Sequence, residues 1–503
     1  MVPPAQQADG SRASRILRHL LRQVESATLA VLVRLHRGGF PFFYLSTNIM
    51  ILELSNDIDH STGPPSIKLD PSQQEAVNTM LQGRNVFLTG NAGTGKSTVI
   101  TQFIAGGARK TDLTATTGIA ALNLRDQIQE KCNLSVNANT IYRWSGIGLG
   151  PLPHETDESC FDRLCAEMKK PPFSITRTGA WKRVCSAECL IIDEISMLPG
   201  RTFQFLEWLC RQVREDTSPW GGLQVICVGD FLQLPPVSKT GKYDWAFQNS
   251  AWQRSNFKHV VLQRIHRQDD DVFKDLLNNV REGRIEPKHS AILAKRVALF
   301  PRADLLRLFT HNTQVDRYNN MMLEGLETSQ STFTMASSGH SGCDWMIKNM
   351  LTPQVLKIKV GARVMVTANL SIPGSNGALK AVNGSLGTVV GINQGRPSVL
   401  LKLDCGRQVE IDPYVWHVDP SDKTKGSVEQ LPLKLAWAAT IHKSQGLSLD
   451  SALIDVRATR EPGQTYVALS RVRTLSGLYL KDVFKGVWVS KEAIEFTNRI
   501  TQS

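Results

Sequence analysis

Short, uninterrupted apolar runs set the pattern of the chain from Leu69 onward. Val86-Phe87-Leu88, Cys189-Leu190-Ile191-Ile192 and Val225-Ile226-Cys227-Val228 each end in Gly or acidic residues and alternate with helical stretches. A strand that is apolar at every position is covered on both faces, so these runs predict buried parallel strands of an α/β sheet. Ligands of such sheets sit beyond the carboxyl ends of the strands. Residues 356–430 change character. Val360-Gly361-Ala362-Arg363-Val364-Met365-Val366, Gly387-Thr388-Val389-Val390 and Val399-Leu400-Leu401-Lys402-Leu403 are β-rich and separated by Asn-Gly and Gly-Arg turns. They predict a small β-barrel inserted in an α/β domain. No repeat of solenoid period interrupts the pattern.

Residues 1–65 stand apart. Arg12, Arg15, Arg18 and Arg22 recur at helical spacing with Ile16, Leu17, Leu20 and Leu21 between them, and acidic residues are sparse until Glu53. A basic, amphipathic, acid-poor start reads as a mitochondrial presequence; a disordered basic tail or a start codon placed too early are the alternatives, with the nucleus as the other location. The uncharged stretch 38–52 is too short for a membrane span and contains Pro41, so no transmembrane helix is expected. Ser61-Thr62-Gly63-Pro64-Pro65 reads as a linker.

Composition narrows the class. A chain of 503 residues is too long for one ordinary core, and 41% hydrophobic with 21% charged residues describes a soluble, globular protein. The 58 basic and 46 acidic residues leave a formal charge of +12, which suits a polyanionic partner. Nine cysteines, an odd number thinly spread, argue against a disulfide framework. Cys160, Cys165, Cys185 and Cys189 lack the tight pairing of a zinc ribbon, and Cys189 leads into an apolar run as a buried structural thiol would.

The chemistry begins after the first predicted strand. Gly90-Asn91-Ala92-Gly93-Thr94-Gly95-Lys96-Ser97, followed by Thr98, fits a P-loop between a strand and a helix. Glycines let the backbone curl so that its N–H groups face phosphate oxygens, and the helix N-terminus adds positive potential. Lys96 is expected to reach the β and γ phosphates of ATP, and the Ser97 hydroxyl to ligate Mg²⁺. At the end of another apolar strand, Asp193 would hold the same Mg²⁺ and Glu194 would polarise the attacking water. The third strand runs into Gly229-Asp230-Phe231-Leu232-Gln233-Leu234-Pro235-Pro236, where Gln233 is placed to sense the γ-phosphate.

Taken in order, these segments resemble superfamily 1 helicases, and the downstream ones resemble the petite integration frequency (PIF) family of 5′-to-3′ DNA helicases. Residues 435–446, ending Thr440-Ile441-His442-Lys443-Ser444-Gln445-Gly446, are similar to that family's fifth motif, and residues 463–471 to its sixth. Residues 205–214 with Pro219-Trp220-Gly221-Gly222 resemble its signature segment. The likeness runs from about Leu69 to Leu480.

The resemblance implies two RecA-like P-loop domains, 66–250 and 251–503, with ATP in the cleft between them. A small insertion at 148–182 is expected on the first, and an SH3-like β-barrel at 356–430 in the second. Gln73 matches the glutamine that reads adenine, and Arg267 and Arg471 match two arginine fingers. Thr116, Thr117, Trp144, His442, Lys443 and Ser444 match contacts to single-stranded DNA, with a place in the core as the alternative for Trp144. The implied activity is Mg²⁺- and ATP-dependent unwinding of DNA by a monomer, including forked DNA, RNA–DNA hybrids or G-quadruplexes. An RNA helicase, or a remodelling ATPase that unwinds nothing, is the alternative. Tyr142 stands where a His is common, and 125–139 looks like a short insertion; neither touches the ATP chemistry.

Overall fold

The computed structural model describes residues 68–502 apart from short stretches, the longest within 148–174, 298–304, 372–378 and 418–425. The presequence and linker expected within 1–65 lie outside the described residues. Among the described residues no helix is long and apolar enough to cross a membrane.

The three apolar runs are strands of one parallel sheet. It consists of β1 (Val86–Gly90), β2 (Thr111–Ala115), β3 (Ala138–Thr140), β4 (Cys189–Asp193), β5 (Gln224–Val228) and β6 (Lys258–Leu262), in the order β3-β2-β4-β5-β1-β6. Their alternate side chains fill two different cores, which is why the runs are apolar throughout. Val86, Leu88, Ile191 and Ile226 pack with helices α1 (Pro71–Leu81), α2 (Lys96–Ala105) and α3 (Gly118–Cys132). Phe87, Leu190, Ile192, Val225 and Cys227 pack with α4 (Ile141–Ser145), α5 (Ile175–Ser186) and α6 (Gly200–Arg214).

Two expected boundaries move. β6 pairs with β1 over five residues, Val86↔Lys258 to Gly90↔Leu262, so the first domain continues past residue 250. Its second core also receives Ala493, Phe496 and Ile500 from the last helix, and Phe496 stacks on Phe247 at 4.3 Å. The chain therefore closes on its first domain rather than ending in its second. The expected insertion 148–182 falls largely outside the described residues, and its last part belongs to α5, which packs on α4 and α6 as part of the first domain.

The second domain opens with α7 (Asp271–Arg281). Its parallel sheet is smaller: β7 (Leu306–Phe309), then three strands near the end of the chain, Ala438–Thr440, Ala452–Ile454 and Leu478–Leu480. The β-rich region emerges between β7 and those strands. Its centre is a five-stranded antiparallel sheet of β8 (Arg363–Val366), β9 (Leu386–Asn393), β10 (Ser398–Leu403), β11 (Gln408–Ile411) and β12 (Leu433–Leu435), ordered β11-β10-β9-β8-β12. It carries its own core, including Ile358, Val364, Val389, Val399, Leu401 and Ile411. The edge strands β11 and β12 are not paired with each other among the described residues. The module also extends past the expected end at residue 430, since β12 pairs with β8.

Candidate active site

A cleft of about 640 Å³ opens where the two domains meet, lined by the P-loop, Asp193, Glu194, Gln233, Arg267, Gln445 and Arg471. The P-loop joins β1 to α2. Gly93 (φ 84°) and Gly95 (φ 85°) take left-handed backbone that only glycine adopts freely. A Cβ on Gly93 would lie 2.5 Å from the Arg267 side chain, and one on Gly95 would lie 2.4 Å from Gln73 Nε2. Lys96 folds back on its own loop, donating to the carbonyls of Gly90 (2.7 Å) and Asn91 (3.0 Å). Burial pushes its ammonium pKa down, against the pull of Asp230 and Glu194. Ser97 and Thr98 line the cleft beside it.

Asp193 ends β4 and Glu194 follows in left-handed backbone (φ 54°), an uncommon state for a residue with a Cβ. The turn is held by the Glu194 N–H donating to Asp193 Oδ1 at 2.9 Å. Burial and the neighbouring Glu194 charge push the Asp193 carboxyl up to about 7. Burial also raises Glu194, although Lys96 and Arg471 oppose it. Gln445 reaches over from the second domain and donates to Glu194 Oε2 at 2.8 Å.

The side chains of both arginines meet at Ser470 of the second domain, Arg267 from a segment whose backbone lies against Gly93 of the P-loop. Arg471 is 2% exposed; its Nε donates to the Val467 carbonyl and its Nη2 to Ser470 Oγ. Arg267 Nη1 donates to the Ser470 carbonyl at 3.4 Å. Burial, and for Arg471 the adjacent Arg267, lowers the pKa of both guanidinium groups. Gln73 is bound at both ends of its amide: Oε1 accepts from the Asp70 N–H, and Nε2 donates to the Thr94 carbonyl at 3.1 Å. This ties α1 to the P-loop.

Several residues of the site carry no local signal in the sequence. Asp230 is clamped by Arg281, the last residue of α7, and its Oδ2 also accepts from Gln233 Nε2 at 3.3 Å. Tyr466 accepts at its hydroxyl from the Ala92 N–H (2.8 Å), and Asn278 accepts from Asn91 (2.6 Å). Asp230 and Tyr466 lie inside motifs recognised for other residues; Arg281 and Asn278 lie in none. Only the folded chain brings them to the P-loop.

The expected DNA contacts divide. Thr116 follows β2, and its hydroxyl donates to the Glu194 carbonyl at 3.1 Å. The Thr117 hydroxyl accepts from the Ala120 N–H at the start of α3. His442 is half-buried, 3.4 Å from Glu461, and the Lys443 side chain lies outside the described residues. Two of them are buried. Trp144 is 1% exposed in the first-domain core and its indole N–H donates to Asp112, in line with the reading of it as a core residue. Ser444 is fully buried and its hydroxyl donates to the Ile441 carbonyl, shaping the turn instead of facing a strand.

Comparison with known proteins agrees with this geometry. A family model described as an AAA domain matches residues 68–298. The chain is 34% identical over 418 residues to the ATP-dependent DNA helicase Pif1 of Bdellovibrio bacteriovorus, covering 82% of this chain and 88% of that one. It is 36% identical to zebrafish (Danio rerio) PIF1 and 34% identical to human PIF1, covering 83% of this chain but only 62% of each of those longer proteins. Among solved structures, Pif1 from Bacteroides in complex with ADP-AlF4 superposes with a TM-score of 0.71 at 29% identity, covering 87% of this chain and 98% of that one. Candida albicans Pif1 superposes at 0.65, also at 29% identity, covering 86% of this chain and all of the other.

Proposed function

The chain belongs to the Pif1 family of ATP-dependent DNA helicases, and from that premise we propose that it hydrolyses ATP to move 5′ to 3′ along single-stranded DNA and part the duplex ahead. The observation that carries this reading is the cleft, which gathers a phosphate cradle, the Asp193–Glu194 pair and the guanidinium groups of Arg267 and Arg471 around one space.

When ATP enters, Lys96 exchanges its two carbonyl contacts for the β and γ phosphates, and the loop N–H groups of residues 90–97 turn to the phosphate oxygens. Gln73 borders the adenine. Ser97 and Asp193 are the residues that would hold Mg²⁺. The donor set fits such an ion, because burial raises both carboxyls and the Glu194 charge raises Asp193 further, which a divalent cation would relieve. When bound, Mg²⁺ screens the charge of the phosphates. Glu194 takes the proton of the attacking water; burial makes it a better base near neutral pH, and Gln445 fixes its direction. Gln233 senses the γ-phosphate. Arg267 and Arg471 stabilise the charge that grows on the transferred phosphoryl group, so hydrolysis requires the cleft to close.

Thr116, Thr117, His442 and Lys443 grip the strand through its phosphates, without reading sequence. Thr116 also holds the Glu194 carbonyl, which links the DNA track to the base. The antiparallel module, which we read as SH3-like, helps to hold the strand. Direction rests on the family segments 229–236, 437–446 and 464–471. We expect forked DNA, RNA–DNA hybrids and folded G-rich strands among the substrates, a role in DNA repair and recombination, and action as a monomer. The basic start of the chain is proposed as a mitochondrial address; a fusion of residues 1–65 to a fluorescent protein that stayed diffuse or entered the nucleus would overturn that.

Strand displacement on duplexes with a 5′ or a 3′ tail tests the main reading. Unwinding from the 5′ tail alone, weakened by salt, is expected. Preferential unwinding from the 3′ tail would overturn the direction. DNA-stimulated hydrolysis with no unwinding from either tail would favour a remodelling ATPase, and activity confined to RNA duplexes an RNA helicase.

A further inference from the structure

The domain junction holds one contact unlike the rest. Arg281 and Asp230 form a two-pronged ion pair at 2.9 and 2.8 Å, with side chains 9% and 1% exposed. Burial alone would raise the Asp230 carboxyl, but Arg281 more than offsets it and holds it below the usual range. Around the pair lie the bonds Ala92–Tyr466 and Asn91–Asn278. Gly463 of the second domain approaches so closely that a Cβ there would lie 2.4 Å from the Gln233 carbonyl oxygen. Ala92 and Leu234 of the first domain sit in the apolar core of the second. Elsewhere across the junction the side-chain hydrogen bonds include the single amide contacts Gln445–Glu194 and Asn383–Asn123.

We propose that Asp230–Arg281 is the pivot on which the cleft opens and closes, and that Arg281, acting through Asp230, is a positioning residue that aims Gln233 at the γ-phosphate. A buried, two-pronged charged pair is costlier to separate than a single hydrogen bond from an amide. The domains therefore part more readily at the single amide bonds and stay joined here. Asp230 Oδ2 accepts from both Arg281 Nε and Gln233 Nε2, so the guanidinium stands one oxygen away from the sensing amide. Closure about this point keeps Gln233 in place while Arg471 swings toward the phosphates.

The inference rests on the ATPase reading, and full-length protein tests it through Arg281→Met, Arg281→Lys, Gln233→Ala and the double variant Arg281→Met with Gln233→Ala. For Arg281→Met, DNA-stimulated kcat should fall at least about tenfold while the KM for ATP stays within about threefold, the signature of a contact that matters in the transition state. Arg281→Lys should recover part of the loss, because an ammonium cannot make both contacts. The double variant should be no slower than the slower single variant, since both residues act through one bond. A kcat for Arg281→Met within about twofold of the parent, or losses that multiply in the double variant, would overturn the proposal. If Arg281→Met does not fold, Arg281→Lys and Asp230→Asn carry the same comparison: reduced kcat at unchanged KM supports the pivot, and unchanged kcat overturns it. A parent protein without DNA-stimulated hydrolysis would instead sink the ATPase reading itself.

Discussion

The two parallel sheets present opposite kinds of chemistry to the cleft. The first is built from six strands with both faces buried, and its carboxyl ends deliver backbone: a glycine-rich loop with left-handed turns at Gly93 and Gly95, followed at once by α2. The second has strands of three or four residues and no such loop; what reaches the cleft from that domain is side chains, among them Arg471, Gln445 and Tyr466. A rigid cradle binds whatever phosphate arrives. Side chains carried on a separate body act only when that body approaches. Hydrolysis thus needs both bodies, with the cradle and the Asp193–Glu194 pair on one and Arg471 and Gln445 on the other, which is what a motor needs in order to couple chemistry to movement.

Changes on the two walls should have different consequences. Lys96→Ala is expected to abolish hydrolysis with the fold intact, because the loop backbone survives while the phosphates lose their cation; near-normal turnover would remove the phosphate-site reading. Glu194→Gln should still bind ATP and DNA but turn over about 10²–10⁴ times more slowly. Turnover matching the parent would give Glu194 another role.

Tyr466→Phe tests the contact from the other side. In the free protein the Ala92 N–H is held by the Tyr466 hydroxyl, so phosphate must displace that bond. A hydrogen bond of about 0.5–1.5 kcal/mol predicts that its loss tightens nucleotide binding by up to about tenfold. Weaker binding in a fluorescence titration would mean that the hydroxyl pre-orders the loop instead.

The smallest effect concerns the entrance to α1. Asp70→Ala removes a capping box and the contact to His266, at a cost of about 0.5–2 kcal/mol. Burial works to raise the Asp70 carboxyl, but hydrogen bonds from Ser72, Gln73 and His266 hold it at about 2. Its folded value is thus depressed, and its stabilisation is present above the unfolded value of about 3.9 and lost as pH falls toward 2. Melting curves of parent and variant should differ fully at pH 5 and converge on acidification. A constant gap would show that the helix cap matters without its charge.

The same contrast decides what could be read from the sequence. The P-loop, Asp193, Glu194 and Gln233 follow strands whose three- or four-residue apolar runs are visible locally, and all three runs are strands where expected. The second sheet escaped, because strands as short as Ala452–Ile454 have no period to detect and owe their position to partners far along the chain. Trp144 could be read two ways because its motif context says nothing about Asp112, whose carboxylate accepts from the indole 32 residues away in sequence. Arg281 and the return of Phe496 to the first domain were invisible for the same reason.

The division of labour between the walls can be measured in one protein, Arg471→Ala, by following nucleotide affinity and the single-turnover chemical step together. An arginine finger is worth about 10³–10⁵ in rate, so the step should slow by that order while nucleotide affinity stays within a few-fold of the parent. Unchanged chemistry, or a loss confined to affinity, would contradict the assignment of Arg471 as the second domain's contribution to hydrolysis.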